Sequence, residues 1–343
     1  MFSIKAKAPR KNMVCFSLFL ASLLGGGMVQ AFTNIQTRTA SPFWQATQTA
    51  KSSASTSSPF GVRQPAVISR RNQSPIVVFM GWGPDPIWSP VKVATVRPAC
   101  RSKDSVFVSV EVPASKAAEY SIPGQYVQMK LDDEKPLFLA ISSPPPEIEA
   151  TTEGEEKKEE EESCLFEFLV KKTDNNGWLT DLEVFDGKPV VSVDMSQVLG
   201  SGFPIEENLN GLKYDFPAQN ILMFAAGSGI APIRAAIESS KLETNSRTAR
   251  LYYGVRTPED LCFAEYFPKW ESTYGVQVVP VISQPSSDWK GRTGYVQNAL
   301  EEDGIPIPRN SGALLCGMKG MTESVKTLLL KSGVFEGRVM FNF

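Results

Sequence analysis

The stretch from Ile221 to Arg234, ILMFAAGSGIAPIR, constrains the fold more than any other part of the 343-residue chain. Apolar residues run from Ile221 to Ala226 without a polar break, straight into Gly227-Ser228-Gly229 and then an alanine-containing segment. An unbroken apolar run suits a strand buried on both faces of a parallel sheet, and the residues after it read as a tight turn and a helix start. Two glycines let the backbone approach an anion, while the free N–H groups and dipole of the helix start face it. Gly227, Ser228, Gly229, Ile230, Ala231 and Pro232 are therefore candidates for a nucleotide-phosphate turn. Pro232 stands where the G-x-G-x-x-G fingerprint has its third glycine, so the stretch alone suits a plain strand-to-helix connection equally well. Proline is at home in the first turn of a helix.

Downstream, strands and helices alternate. Strands are expected at Ile221 to Ala226, Ala249 to Val255, Val276 to Ile282, Ala313 to Cys316 and Arg338 to Phe341, with helices around 231–241, 264–272, 295–302 and 321–331. This is the pattern of an open parallel sheet over residues 215–343. All strand carboxyl ends of such a sheet lie on one edge, where ligands bind. Gly227-Ser228-Gly229, Gly254-Val255-Arg256, Ser283-Gln284-Pro285 and Cys316-Gly317-Met318 each end or follow a strand, so they converge. Singly, each has a plainer reading as a turn residue, a surface charge or a small core residue. Together they point to a site in which Arg256 and Ser283 reach the phosphate or ribose of a dinucleotide.

Residues 90–203 have a different period. VKVATV, Ser105 to Val112, Gln125 to Leu131, Phe166 to Lys172 and Lys188 to Met195 alternate in the manner of strands between turn residues, which predicts an antiparallel barrel or sandwich. Glu147 to Ser163, EIEATTEGEEKKEEEES, interrupts it as an acidic insert, read either as a plain solvated loop or as a docking surface for a basic partner.

The first 84 residues contain no Asp or Glu. A basic start, an apolar run from Val14 to Leu24 and small residues ending at Ala31 read as a signal peptide over residues 1–31, or as a membrane anchor shorter than the ~20 residues a span needs. Residues 32–80, rich in Ser, Thr, Gln and Arg, read as a transit peptide or linker. The pair resembles the bipartite presequence of algae with secondary plastids and implies a plastid address; a secreted protein with a disordered linker is the alternative. The Pro-, Gly- and Trp-rich segment 74–90 reads as a loosely packed linker, and the mature chain is expected to begin near it.

Composition narrows the chemistry. The chain has no histidine, which excludes Ser-His-Asp and Cys-His catalysis and histidine-ligated metals. Its five cysteines include no C-x-x-C pair, so no metal or iron–sulfur site is expected, and a disulfide framework is not indicated. A net charge of −2 gives no reason to expect nucleic acid as a partner.

A barrel carrying Pro123-Gly124-Gln125-Tyr126, the turn Ala226 to Pro232, and Cys316-Gly317 with Met321 together resemble the ferredoxin–NADP reductase superfamily over roughly residues 90–343. FLAISSPP at Phe138, SQPSSDWKGRTGYVQ at Ser283 and LLCGMKGM at Leu314 are similar to its plant plastid branch typified by pKIWI502. The resemblance implies two domains: a flavin-binding antiparallel β-barrel holding FAD, then a Rossmann-like parallel-sheet domain holding NADPH or NADH. It implies hydride transfer from the nicotinamide to the flavin and onward transfer to a one-electron carrier or small-molecule acceptor. Cys316 is implied beside the nicotinamide, and Phe343 as a terminal aromatic near the flavin, an ordinary packed terminus being the alternative. Gly177-Trp178-Leu179-Thr180 matches the G-x-x-[ST] segment that takes the flavin pyrophosphate. The family's R-x-Y-[ST] motif, aligned on Ile141, falls on Leu137, Leu139 and Ala140, so Leu139 is expected to cover the ring and Ser142 or Ser143 to offer a hydroxyl. The arginine is absent. Gln284 cannot pair with a 2′-phosphate, which leaves Arg256, Lys290 or Arg292 for that task. A non-catalytic member of the fold, binding a nucleotide or serving a thylakoid complex, is the competing expectation.

Overall fold

A computed structural model describes residues 85–147, 163–184, 191–214 and 216–342. The signal and transit readings for 1–31 and 32–80, all but the edges of the acidic insert, and Phe343 lie outside the described residues. Residues 85–88 precede the first strand, where Ile87 N donates to Gln197 Oε1 at 2.7 Å. No helix among the described residues is long and apolar enough to cross a membrane.

The first sheet holds β1 (Ser89–Pro98), β2 (Ser105–Pro113), β3 (Tyr126–Lys130), β4 (Leu137–Ala140), β5 (Ser163–Lys171) and β6 (Val191–Met195). Their order is β4-β3-β6-β1-β2-β5, and every neighbouring pair is antiparallel. Alternation decides what each side chain meets. Val106, Val108, Val110 and Val112 of β2 and Phe166, Phe168 and Val170 of β5 fill the interior. Phe107 and Leu169 point the other way and join the core of the second domain. The sheet curls until β4 nearly meets β5: Ile141 bridges Phe168, Ser142 N donates to Glu167 O at 2.8 Å, and Glu167 N donates to Ser143 Oγ at 3.2 Å. The result is a nearly closed antiparallel barrel.

The second sheet is parallel throughout: β7 (Asn220–Ala226), β8 (Thr248–Val255), β9 (Val276–Ile282), β10 (Arg292–Thr293), β11 (Ser311–Cys316) and β12 (Val339–Phe341). Its order β10-β9-β8-β7-β11-β12 reverses direction between β7 and β11. Strand β7 is apolar on both faces because both are covered. Ile221, Met223 and Ala225 share a cluster with Ile233, Ala236 and Ile237 of one helix, α1 (Ile230–Glu238), and with Trp270 of α2 (Phe267–Ser272). Leu222 and Phe224 face the opposite cluster, with Val296 and Leu300 of α3 (Val296–Asp303) and Val325 and Leu329 of α4 (Lys319–Ser332). This is the expected two-domain plan, a barrel followed by a Rossmann-like sheet.

One buried cation ties the domains together. Arg234 on α1 pairs with Glu167 of barrel strand β5 at 2.7 Å and with Glu238 one helical turn along at 3.0 Å. Its guanidinium also lies 4.9 Å from the centroid of Phe263 and 5.0 Å from that of Tyr266. Trp270 Nε1 donates to the second Glu238 oxygen at 3.0 Å, so both oxygens of that carboxylate are held. Burial works against the Arg234 charge, yet Glu238 and Glu167 together hold its pKa above the ordinary value. Replacing Arg234 by Ala would strand two partly buried carboxylates and is expected to cost about 3–5 kcal/mol. Glu167→Gln, which leaves the Glu238 contact, should cost clearly less; urea unfolding followed by tryptophan fluorescence measures both.

Candidate functional site

The reversal of strand order places the carboxyl ends of β7 and β11 side by side, and their loops touch. A Cβ added at Gly229 would collide with the carbonyl oxygen of Cys316, so only glycine allows the two turns to pack this closely. Gly227 sits at φ +54° with open space before it, a left-handed turn whose exposed backbone faces a cavity.

That cavity, of about 440 Å³, gathers Gly227, Ser228, Arg256, Ser283 and Met321 from four different strand ends. The expected convergence therefore exists. Ser283 is fixed by the sheet itself, its N–H donating to Val255 O at 3.1 Å, and Gln284 N donates to Arg256 O at 2.8 Å. Tyr295, more than half exposed, lines the same cavity, a site residue that the sequence reading passed over. Arg256 is exposed at the lip. Arg292 is already engaged: it pairs with Glu302 and Asp303, and Asp303 also accepts from Tyr252 Oη at 2.8 Å and Arg250 at 3.0 Å. Lys290 is exposed and lines no described cavity.

A second and larger cleft, about 930 Å³, opens between the barrel and these loops. Gly229, Ala231, Pro232, Cys316 and Gly317 form its nucleotide-domain wall. Ala226, Ser228, Lys171 and Met318 line both cavities, which are therefore adjoining. Ile230 is fully buried in the core beneath. Cys316 is 6% exposed and burial pushes its thiol up to about 12, so it stays a neutral S–H at the back of the cleft.

The barrel wall of the cleft is built on β4. Leu137, Leu139 and Ile141 keep the inward period of the barrel; Leu139 is only 8% exposed and packs among its core residues while also lining the cleft. Phe138, 62% exposed, and Ala140 line the cleft as well, and the Phe138 ring lies 6.0 Å from that of Tyr126. Phe138 is therefore the most exposed aromatic on this wall, beside the expected Leu139 and Ala140. Ser142 is fully buried with its Oγ unpartnered, and Ser143 Oγ serves barrel closure; neither lines the cleft.

Gly177, Trp178, Leu179 and Thr180 form one short helical turn that also stays off this cleft. Leu179 belongs to the barrel core, and the Thr180 hydroxyl donates to Asn176 O at 3.2 Å while lining a separate hollow beside Arg97 and Lys172. The residues from this region that do reach the cleft are Thr173 and Asn176, with Lys171 supplying positive charge. Asn176 is held by accepting from Thr173 N and donating to Lys171 O, both at 2.8 Å. Asn342 completes the wall: it is 3% exposed, and its Oδ1 is sealed from solvent with no hydrogen-bond partner. An apolar cleft with one exposed aromatic, an orphaned amide oxygen and a lysine at the rim fits a planar heteroaromatic ring that carries a phosphate tail.

Comparison with known proteins agrees with this arrangement. Residues 223–327 match the oxidoreductase NAD-binding domain family. The fruit protein pKIWI502 of Actinidia deliciosa is 33% identical over 259 residues, covering 74% of this chain and 76% of its own. An NADH-cytochrome b5 reductase-like protein of Arabidopsis thaliana is 28% identical over 111 residues, 31% of this chain and only 34% of its own length. Among solved structures, a ferredoxin NADP+ reductase from Neisseria gonorrhoeae with bound FAD and NADP shares the fold at a TM-score of 0.56 and 15% identity, covering 74% of this chain and 97% of that one. The cytochrome b5 reductase domain of Ulva prolifera nitrate reductase does so at 0.53 and 16%, covering 74% and 97%. With 33% identity over 76% of the relative's length and an NAD-binding oxidoreductase domain at residues 223–327, the chain belongs to the same family as pKIWI502, and its fold is the one shared by these reductase structures.

Proposed function

We propose that this protein is an NAD(P)H-dependent flavin oxidoreductase, with FAD in the larger cleft and NADH or NADPH in the smaller. The observation that carries the reading is that the two cavities share Ala226, Ser228, Lys171 and Met318, so that groups bound in each would meet at a common wall. A bound flavin would supply the chemistry that a chain without histidine lacks, accepting a hydride from the nicotinamide and releasing electrons to an acceptor.

The side chains divide the remaining work. Phe138, Tyr126 and Ala140 provide the apolar barrel-side wall, and the Asn342 amide is the polar group left free to meet a ring edge. Lys171 brings a positive charge to the rim, a substitute for the missing arginine in countering phosphate. Gly227 and Ser228 present backbone to the nucleotide phosphates, and the exposed Arg256 at the lip is placed to reach a ribose or 2′-phosphate. Cys316, neutral and buried, positions a nicotinamide by shape rather than by nucleophilic attack.

The acceptor is proposed to be a separate one-electron carrier or small molecule. Among the described residues no group of His, Cys, Asp or Glu could hold a metal, and the five cysteines include no C-x-x-C pair. Placement in a plastid is supported by the composition of residues 1–80 and is tested by imaging a fluorescent fusion of that segment.

The full chain loaded with FAD should reduce ferricyanide at the expense of NADH or NADPH; nucleotide binding without flavin uptake or turnover would instead favour a nucleotide-binding or complex-assembly role. Phe138→Ala is expected to weaken FAD binding by about 5- to 30-fold, a loss of ~1–2 kcal/mol, with little change in stability. Leu139→Ala should do the reverse, destabilising the barrel by about 2–4 kcal/mol; flavin fluorescence titration and thermal unfolding read the two effects. Cys316→Ala should lower kcat about ten- to a hundred-fold through misplacement of the nicotinamide, with FAD content retained. Steady-state kinetics on flavin-normalised enzyme checks this.

A further inference from the structure

Cys100 and Cys262 come from different domains and meet at one end of the nucleotide cavity, whose wall they share. Cys100 lies just past β1 in the barrel and packs, half-buried, against the core cluster that contains Cys262. The two segments are pinned together beside them, Ser102 N donating to Glu259 O at 3.0 Å. Both sulfurs are free thiols with weak partners: Cys100 Sγ lies 3.2 Å from Ser102 Oγ, and Cys262 Sγ donates to Asp260 O at 3.6 Å. Burial, and after it the neighbouring Cys100, push the Cys262 thiol up to about 12, which agrees with two sulfurs in close company. Neither thiol has a part in the hydride chemistry.

We propose that Cys100 and Cys262 form an oxidisable pair whose disulfide constricts the nucleotide cavity. The proposal rests on reading that cavity as the NAD(P)H site. The half-buried Cys100 is the entry point and the buried Cys262 the resolving thiol. The oxidant is a low-molecular-weight disulfide. The Cys100 thiolate attacks one of its sulfurs, breaking the S–S bond and releasing one thiol. Cys262, whose raised pKa leaves only a small thiolate fraction, gives up its proton and attacks the adjacent Cys100 sulfur of the mixed disulfide in the slower step, releasing the second thiol. Two protein thiols are oxidised to one disulfide, and the small disulfide carries away two electrons and two protons as two thiols. The new bond turns Cys100 from Ser102 towards Cys262 and draws the 100–105 segment over the wall formed by Asp260 and Arg256. It also joins barrel to nucleotide domain covalently.

The test treats the full chain with oxidised glutathione and tracks two readouts: non-reducing peptide mapping by mass spectrometry, and NADH affinity by calorimetry before oxidation, after it, and after dithiothreitol. The expected result is a Cys100–Cys262 linked peptide, an affinity for NADH lowered about ten-fold or more, about 1.4 kcal/mol per decade, and recovery on reduction. In Cys100→Ser the oxidant should leave that variant's own NADH affinity unchanged. A glutathione adduct that persists on Cys100, or a linked peptide with unaltered NADH affinity, overturns the proposal. A reduced wild-type chain that binds no NADH overturns the nucleotide-site reading, and the constriction of that site with it, whereas the peptide map still reports on the thiol pair itself.

Discussion

The contact between Arg234 and Glu167 holds in place everything the function requires. Glu167 does two things at once: its backbone closes the barrel against Ser142 and Ser143, and its carboxylate reaches out to the helix that begins at the phosphate turn. The same stretch of β5 that seals the barrel therefore also fixes its position on the nucleotide domain, with Leu169 and Phe107 supplying apolar contact around the ion pair. A buried charge is costly unless it is fully paired. Here the pairing is met by two carboxylates and two aromatic faces, so the arrangement has little freedom to slide.

That fixed seam is where both cavities open. The topological switch between β7 and β11 brings Gly229 against Cys316, and the barrel's β4 and β5 stand opposite. Cofactor chemistry of this class needs two ring systems brought together in a dry space, and the protein's part is position and polarity. The apolar lining, the neutral Cys316 thiol and the unpartnered Asn342 oxygen meet that description.

The parallel sheet was legible in the sequence because its four central strands are rich in apolar residues and two of them, β7 and β11, are buried along nearly their whole length and run into glycine turns, whereas the two-residue β10 carried no such signal. Ile221 to Arg234 carried that signal, and Gly227, Ser228, Arg256, Ser283 and Met321 do come together. The barrel wall of the site was not legible. Strand β4 has four residues, all apolar, so alternation gave no way to tell the mostly buried Leu139 from the exposed Phe138 beside it. Lys171, Asn176, Tyr295 and Asn342 are scattered along the chain and become neighbours of the cavities only through long-range packing. Exposure of a lone aromatic and burial of an unpaired amide are the signs that mark two of them, and both are properties of the folded chain.

A flavin in the larger cleft, next to the nucleotide, is what every proposed role of these side chains depends on. Its most direct test is an anaerobic absorbance experiment on the full chain titrated with FAD and then mixed with NADH or NADPH. The expected result is saturable uptake of FAD with a perturbed visible spectrum, then bleaching of the flavin band when the reduced nucleotide is added. A chain that leaves FAD free in solution, or binds it and leaves its absorbance unchanged by either nucleotide, would contradict a flavin site beside a nucleotide site.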